Sequence, residues 1–145
     1  MEEYVDYIKS ASEVRKEWSS TIDTVIREHP VFIQRTRDNL VMLDLATLRL
    51  AFSHVTFDVS VFKEEDGSVT CTEDNLDLGE NAGTKEACIL QLVHAMRDYA
   101  NDFYKEFSLW SKAPNRREHI PFVLKILAST DEEILEDMKC HAGKN

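Results

Sequence analysis

Residues 10–29 constrain the fold of this chain more than any other stretch. Val14, Trp18, Ile22, Val25 and Ile26 recur at three- and four-residue spacing, so they form one apolar stripe while Arg15, Lys16, Asp23 and Arg27 face elsewhere. That pattern is an amphipathic helix. Ser10 with Glu13 three residues later is a capping-box sequence, which marks its start, and Pro30 marks its end.

The next segment limits the partners this helix can have. Val31–Arg35 and Leu40–Leu45 are β-rich runs separated by the polar turn Thr36–Asn39, which reads as a hairpin. Both runs are apolar on both faces: Val31 and Ile33 oppose Phe32, and Val41 and Leu43 oppose Leu40 and Met42. One face can cover the helix, and the other calls for a second copy of the chain. Val31, Ile33, Leu40 and Met42 are therefore the expected dimer interface. A short helix over about Ala46–Phe52 closes a unit ordered strand, helix, strand, strand, helix, with a boundary expected after residue 52.

Beyond Ser53 the pattern changes to strict alternation, with Val55, Phe57, Val59 and Val61 on one face and His54, Thr56, Asp58 and Ser60 on the other. Glu64–Gly67 is a turn, Ser68–Thr72 is the returning strand, and Leu76 and Leu78 suit a short third strand. Thr84 then caps a long helix, whose apolar positions Ile89, Leu92, Val93, Met96, Tyr99, Ala100, Phe103, Tyr104, Phe107 and Trp110 carry it to about Ser111. A polar loop follows, then a helix over Phe122–Ala128 started by Pro121, and a last helix from Asp131 to about Cys140 with a frayed tail. The expected architecture is α+β: a β-α-β-β-α unit over residues 1–52, then residues 53–145 as an antiparallel meander packed with one long and two short helices.

At 145 residues the chain is long enough to bury a core without covalent staples. Its longest apolar run falls short of the roughly 18 residues of a membrane span, and Met1-Glu-Glu is unlike a basic leader, so a cytoplasmic protein without membrane contact is expected. Cys71, Cys88 and Cys140 are odd in number and widely spaced, which indicates reduced thiols rather than a disulfide framework or a zinc site. The net charge of −10 is uneven: residues 1–50 hold nine acids and seven bases, and residues 51–145 hold eighteen acids and ten bases. The acidic second part suits a basic partner.

Tyr7 through Leu50, with Ser12-Glu13-Val14-Arg15 opening the helix and Pro30–Arg35 followed by Asn39–Leu43, resembles the Phd/YefM family of bacterial antitoxins. The resemblance implies a dimeric, promoter-binding repressor module, with Ser12, Arg15, Arg35, Thr36 and Arg37 contacting operator DNA. Phe57–Phe62, Asp66–Thr70, Gly83–Ala87, Tyr99–Tyr104, Ala113–Arg117 and His119–Leu124 are similar to a C-terminal domain fused to Phd-like modules in RelE/RelB-type antitoxins. The hairpin followed by Gly83-Thr-Lys-Glu-Ala87 also resembles the HicB pattern. Together these imply an antitoxin of a type II system that represses its own promoter and covers a basic, RelE-like RNase toxin.

Catalytic constellations are scarce in the sequence. There is no His-Glu-x-x-His, no Gly-x-Ser-x-Gly and no phosphate-cradling glycine loop, and no cofactor or metal is expected. Arg116, Arg117, Glu118 and His119 have the side chains of an anion-binding cluster, although a loop capping helix ends accounts for them as well. The alternative to the antitoxin reading is a small-molecule-binding regulator whose pocket is lined by the aromatic half of the long helix. The chain is not expected to be an enzyme.

Overall fold

A computed structural model describes residues 8–143. They fall into two compact units, divided between Leu48 and Arg49. In the first unit β1 (Lys9–Ser10) leads into α1 (Ala11–Lys16) and α2 (Trp18–Arg27), and β2 (Val31–Arg35) and β3 (Asp38–Met42) follow. The sheet order is β1-β2-β3. β1 lies parallel to β2, with Lys9 opposite Ile33 and Ser10 opposite Gln34, and β2 and β3 are antiparallel from Val31–Met42 to Arg35–Asp38. The turn is therefore the two residues Thr36 and Arg37, shorter than the sequence suggests.

The Ser10 hydroxyl accepts the Glu13 N–H at 3.1 Å, which caps α1 as its sequence position predicts. The helix is not continuous, however. Glu17, at φ −111° and ψ 36°, closes α1 and opens α2. Val14, Val31 and Ile33 form the unit's core, with Ala11, Val25 and Met42 packed against them. Trp18 is 54% exposed and Ile26 61% exposed, so the expected apolar stripe is only partly covered. The break at Glu17 and strands of two to five residues leave too little sheet to cover the rest.

α3 (Leu45–Ala51) spans the boundary between the units. The second unit has β4 (Phe57–Lys63), β5 (Val69–Glu73) and β6 (Leu78–Ala82), then α4 (Lys85–Lys105) and α5 (Phe107–Trp110). A 3-10 turn at Arg117–His119 leads into α6 (Ile120–Leu127), α7 (Asp131–Glu136) and β7 (Met138–Ala142). Thr84 accepts the Ala87 N–H and caps α4, and Thr130 and Glu133 form a complete capping box on α7. Gly67, at φ +86°, makes the β4–β5 turn in a backbone conformation that side-chain-bearing residues rarely adopt.

Two expectations are corrected here. The long helix does not run to Ser111, because it breaks at Glu106 (φ −120°, ψ 37°) before the short α5. The last helix does not run to Cys140 into a frayed tail. It stops at Glu136, and Met138–Ala142 is a strand lying parallel to β4, with Val59 opposite Cys140. The sheet is therefore mixed, in the order β6-β5-β4-β7. Met138, Cys140 and Ala142 alternate with Lys139 and His141, a period of two that matches a strand and conflicts with the helical period of the residues before it.

Phe57, Val59 and Cys71 of the sheet, Leu92, Val93, Met96, Ala100 and Phe103 of α4, and Val123, Ile126 and Ile134 form one buried cluster. Each large apolar side chain removed from water in this way contributes about 1.5–3 kcal/mol. A buried cation braces one edge of the unit. Lys125, 1% exposed, donates from Nζ to the carbonyls of Phe52 and Val55 and lies 3.5 Å from the Asp137 carboxylate. Arg49 reaches the same carboxylate at 3.0 Å and Glu133 at 3.1 Å.

Candidate nucleic-acid interface

β1 and β2 share a direction, and Ser10 sits opposite Gln34. The helix that begins at Ala11 therefore starts at the end of the sheet where Arg35, Thr36 and Arg37 make their turn. This register brings the start of α1, with Ser12 and Arg15 on its first two turns, to the hairpin tip. All five side chains are exposed. Among the described residues no ion pair or hydrogen bond occupies the side chains of Arg15, Arg35 or Arg37. An uncommitted guanidinium keeps its full set of donors for a phosphate or a base edge.

Two features of this end lie beyond what the sequence indicates. Thr36 has φ +56°, a left-handed backbone unusual for a β-branched residue. Such strain persists where surrounding structure imposes it, and here the antiparallel pair Arg35–Asp38 fixes both ends of a two-residue turn. Arg15 also lines a groove of about 320 Å³ with Trp18, Ala11, Val14 and Ile33. Trp18 therefore lies beside a candidate DNA-contacting arginine, a juxtaposition that its place on the helical stripe does not reveal.

The residues expected between protomers divide differently. Val31 is 3% exposed and Ile33 9% exposed, both within the unit's own core, and Met42 packs on them. Leu40, opposite Ile33, is 52% exposed. The outward face carries the pair Phe32 and Val41, 42% and 46% exposed. Strand parity carries this distinction, since residues directly opposite share a face and Val31, Ile33, Leu40 and Met42 are one such set. β3 is an edge strand of its sheet.

In the second unit the arginine–histidine loop is built into the fold. The Tyr99 hydroxyl and His119 Nδ1 are 2.6 Å apart, and Arg116 donates to the Tyr99 hydroxyl at 3.0 Å while stacking 4.5 Å from the Trp110 ring. Burial, and then the neighbouring Arg116 charge, push the His119 pKa below its ordinary value, with Asp77 and Glu118 opposing. Arg117 and Glu118 remain exposed. The aromatic half of the long helix closes on itself: Tyr99, Phe103, Phe107 and Trp110 make ring contacts of 5.4–6.1 Å. These rings fill space that a ligand lined by them would need.

The buried Glu73 carboxylate has a similar structural role, accepting the Leu76 N–H at 2.7 Å, the Asn75 amide at 2.9 Å and the Asp58 N–H at 3.1 Å. Burial nevertheless leaves its pKa raised. Among the described residues no group of three or more His, Cys, Asp or Glu could hold a metal ion, and no helix is long and apolar enough to cross a membrane.

No curated protein matches the chain. A solved structure does: a crystal structure described as an antitoxin, part of a proposed toxin/antitoxin system, from Syntrophomonas wolfei subsp. wolfei. It is 28% identical, aligns over 94% of this chain and 99% of its own, and superposes with a TM-score of 0.86. The agreement therefore covers both sheets and the helices of both units. The family model PHD_like, described as antitoxin of toxin-antitoxin, RelE / RelB, TA system, matches residues 6–139, nearly the whole chain, and the protein belongs to that family of antitoxins.

Proposed function

We propose that this antitoxin is of type II and acts in the cytoplasm by binding alone, without catalysis. A homodimer represses its own promoter through the first unit, and the acidic second unit covers a basic, RelE-like RNase toxin by protein–protein contact. The observation that carries the DNA-binding part is the hairpin tip, where Arg35 and Arg37 are exposed and uncommitted on either side of the strained Thr36, at the same end of the sheet as Ser12 and Arg15. Strain of this kind orients side chains before a ligand arrives.

The dimer forms through the hairpin. Its contact face is the outward pair Phe32 and Val41, since Val31 and Ile33 are occupied within the protomer and Leu40 lies on their face of the hairpin. Two protomers present six of these arginines. If about four of them neutralise phosphates, affinity falls with salt at a logarithmic slope on the order of −4. The excess of acids in residues 51–145 supports the toxin-binding part, because complementary fields speed the encounter of oppositely charged proteins.

The test is fluorescence anisotropy with the DNA upstream of the chain's own gene, using the wild type, Arg35→Ala and Arg37→Ala. Each variant is expected to bind less tightly with a shallower salt slope, and to keep the wild-type melting temperature because exposed uncommitted charges add little to stability. Wild-type affinity in both variants would remove the hairpin tip from the DNA surface.

A further inference from the structure

Neither the DNA surface nor the toxin-binding reading uses the two sulfur atoms in the core of the second unit. Cys71 lies in the middle of β5, opposite Val61 and Glu80 of the flanking strands, and Cys88 lies in the first turns of α4. Both are 0% exposed, and their Sγ atoms are 2.6 Å apart. The Cys88 thiol also points to the Glu80 carbonyl at 3.3 Å, so β5, β6 and α4 meet at this pair. The third thiol, Cys140, is exposed on β7.

We propose that Cys71 and Cys88 form a reversible disulfide, installed by a small-molecule disulfide such as oxidised glutathione, that joins β5 to the start of α4. The thiolate of one cysteine attacks a sulfur of the glutathione disulfide and releases one glutathione thiolate. The second cysteine, deprotonated, attacks the protein sulfur of that mixed disulfide and releases the other glutathione. Two electrons pass from the cysteines to glutathione, and the two thiol protons end on the two released glutathione thiols.

The separation of the sulfurs allows bond formation by small side-chain adjustments, since a covalent S–S distance is about 2.05 Å. The reaction is slow in the closed fold. Burial and the adjacent Cys88 thiol push the Cys71 pKa up to about 12, so the attacking thiolate is scarce and exchange proceeds through transient opening of this edge. The pair therefore responds to sustained oxidising conditions rather than to brief ones. Once formed, the bond closes a ring from residue 71 to residue 88 that contains all of β6, an edge strand of the sheet. Detaching β6 and the start of α4 together from β5 then requires breaking a covalent bond.

The test uses the full chain equilibrated in glutathione redox buffers containing urea below the unfolding transition, so that the edge opens. After acid quench, alkylation under denaturing conditions and digestion, mass spectrometry is expected to find a linked Cys71–Cys88 peptide, two hydrogen atoms lighter than the reduced, unalkylated pair. The oxidised wild type is expected to unfold with an equilibrium constant on the order of 100-fold smaller than the reduced wild type, the effect of closing a loop of this length. Cys140→Ser should behave in the same way, while Cys71→Ala and Cys88→Ala should show neither the peptide nor the redox-dependent shift. Full alkylation of both buried thiols after equilibration, a link to Cys140 in place of the pair, or equal stability of the oxidised and reduced wild type would each overturn the proposal. DNA and toxin binding enter none of these readouts, so failure here is separable from failure of the antitoxin mechanism.

Discussion

Replacing Lys125 by Met tests whether the buried ammonium holds its edge of the second unit together. Methionine keeps most of the side chain's length and volume, so packing against Phe57, whose ring lies 5.8 Å from Nζ, changes little. What is lost is a cation donating to the Phe52 and Val55 carbonyls and lying 3.5 Å from Asp137. Hydrogen bonds to a charged group are worth about 1.5–3 kcal/mol each, so two of them set a gross loss of about 3–6 kcal/mol. Asp137 keeps Arg49 at 3.0 Å and does not become an unpaired buried charge. Removing the ammonium also recovers part of its desolvation cost, which moves the net loss to the low end. We expect Lys125→Met to destabilise the second unit by about 3 kcal/mol. Urea denaturation at pH 7, followed by fluorescence of Trp110 in a Trp18→Phe background, isolates this unit's transition. A variant within about 0.5 kcal/mol of its parent, or more stable than it, would show that the carbonyls are satisfied without Lys125 and refute the argument.

Thr36→Gly should relieve the φ +56° strain and stabilise the first unit by about 1 kcal/mol, while weakening DNA binding if the hydroxyl contacts the operator; a loss of stability on denaturation would contradict the strained-turn assignment. The lowered His119 pKa means that the fold prefers the neutral imidazole, so the contribution is complete above pH about 6.5 and is lost as pH falls through that value toward the folded pKa. The wild-type denaturation midpoint should therefore drop more between pH 7.5 and 5.5 than that of His119→Gln, and parallel curves would refute the assignment. A Cβ at Gly143 would clash with the Phe62 ring, so Gly143→Ala should cost about 1–3 kcal/mol, and Phe62→Ala should remove most of that cost in a double-mutant cycle.

Local chemistry made much of this fold legible. The caps Ser10, Thr84 and Thr130 are visible because each presents a hydroxyl three residues before the backbone N–H it accepts. The alternation Val55 to Val61 and the spacing of Leu92, Met96 and Phe103 each identify a face. Features set by tertiary partners were not legible in this way. Met138–Ala142 is short, and a helix that continues past Glu136 competes with it until β4 offers an unpaired edge. The exposure of Trp18 and Ile26 follows from how narrow the first sheet is, a property of three strands together. At the hairpin the residue types pointed to an interface, but assigning its two faces required the pairing register of Phe32 with Val41. The arginines of the proposed DNA surface came from resemblance, and the register that sets them beside the start of α1 comes from the two-residue strand at Lys9.

The parallel pairing of β4 with β7 also sets the order in which the chain can fold. Phe57 and Met138 are adjacent in the sheet, yet every other element of the second unit lies between them in the sequence. At a synthesis rate of roughly 5–20 residues per second, β4 emerges on the order of ten seconds before its final neighbour exists. During that interval one side of a strand containing Phe57, Val59 and Val61 presents open backbone groups, the template for association with other chains. The nascent chain is therefore open to association at this edge until residues 138–142 have emerged. Variants that weaken residues 138–142 should lower soluble yield in cells by more than their equilibrium stability would suggest.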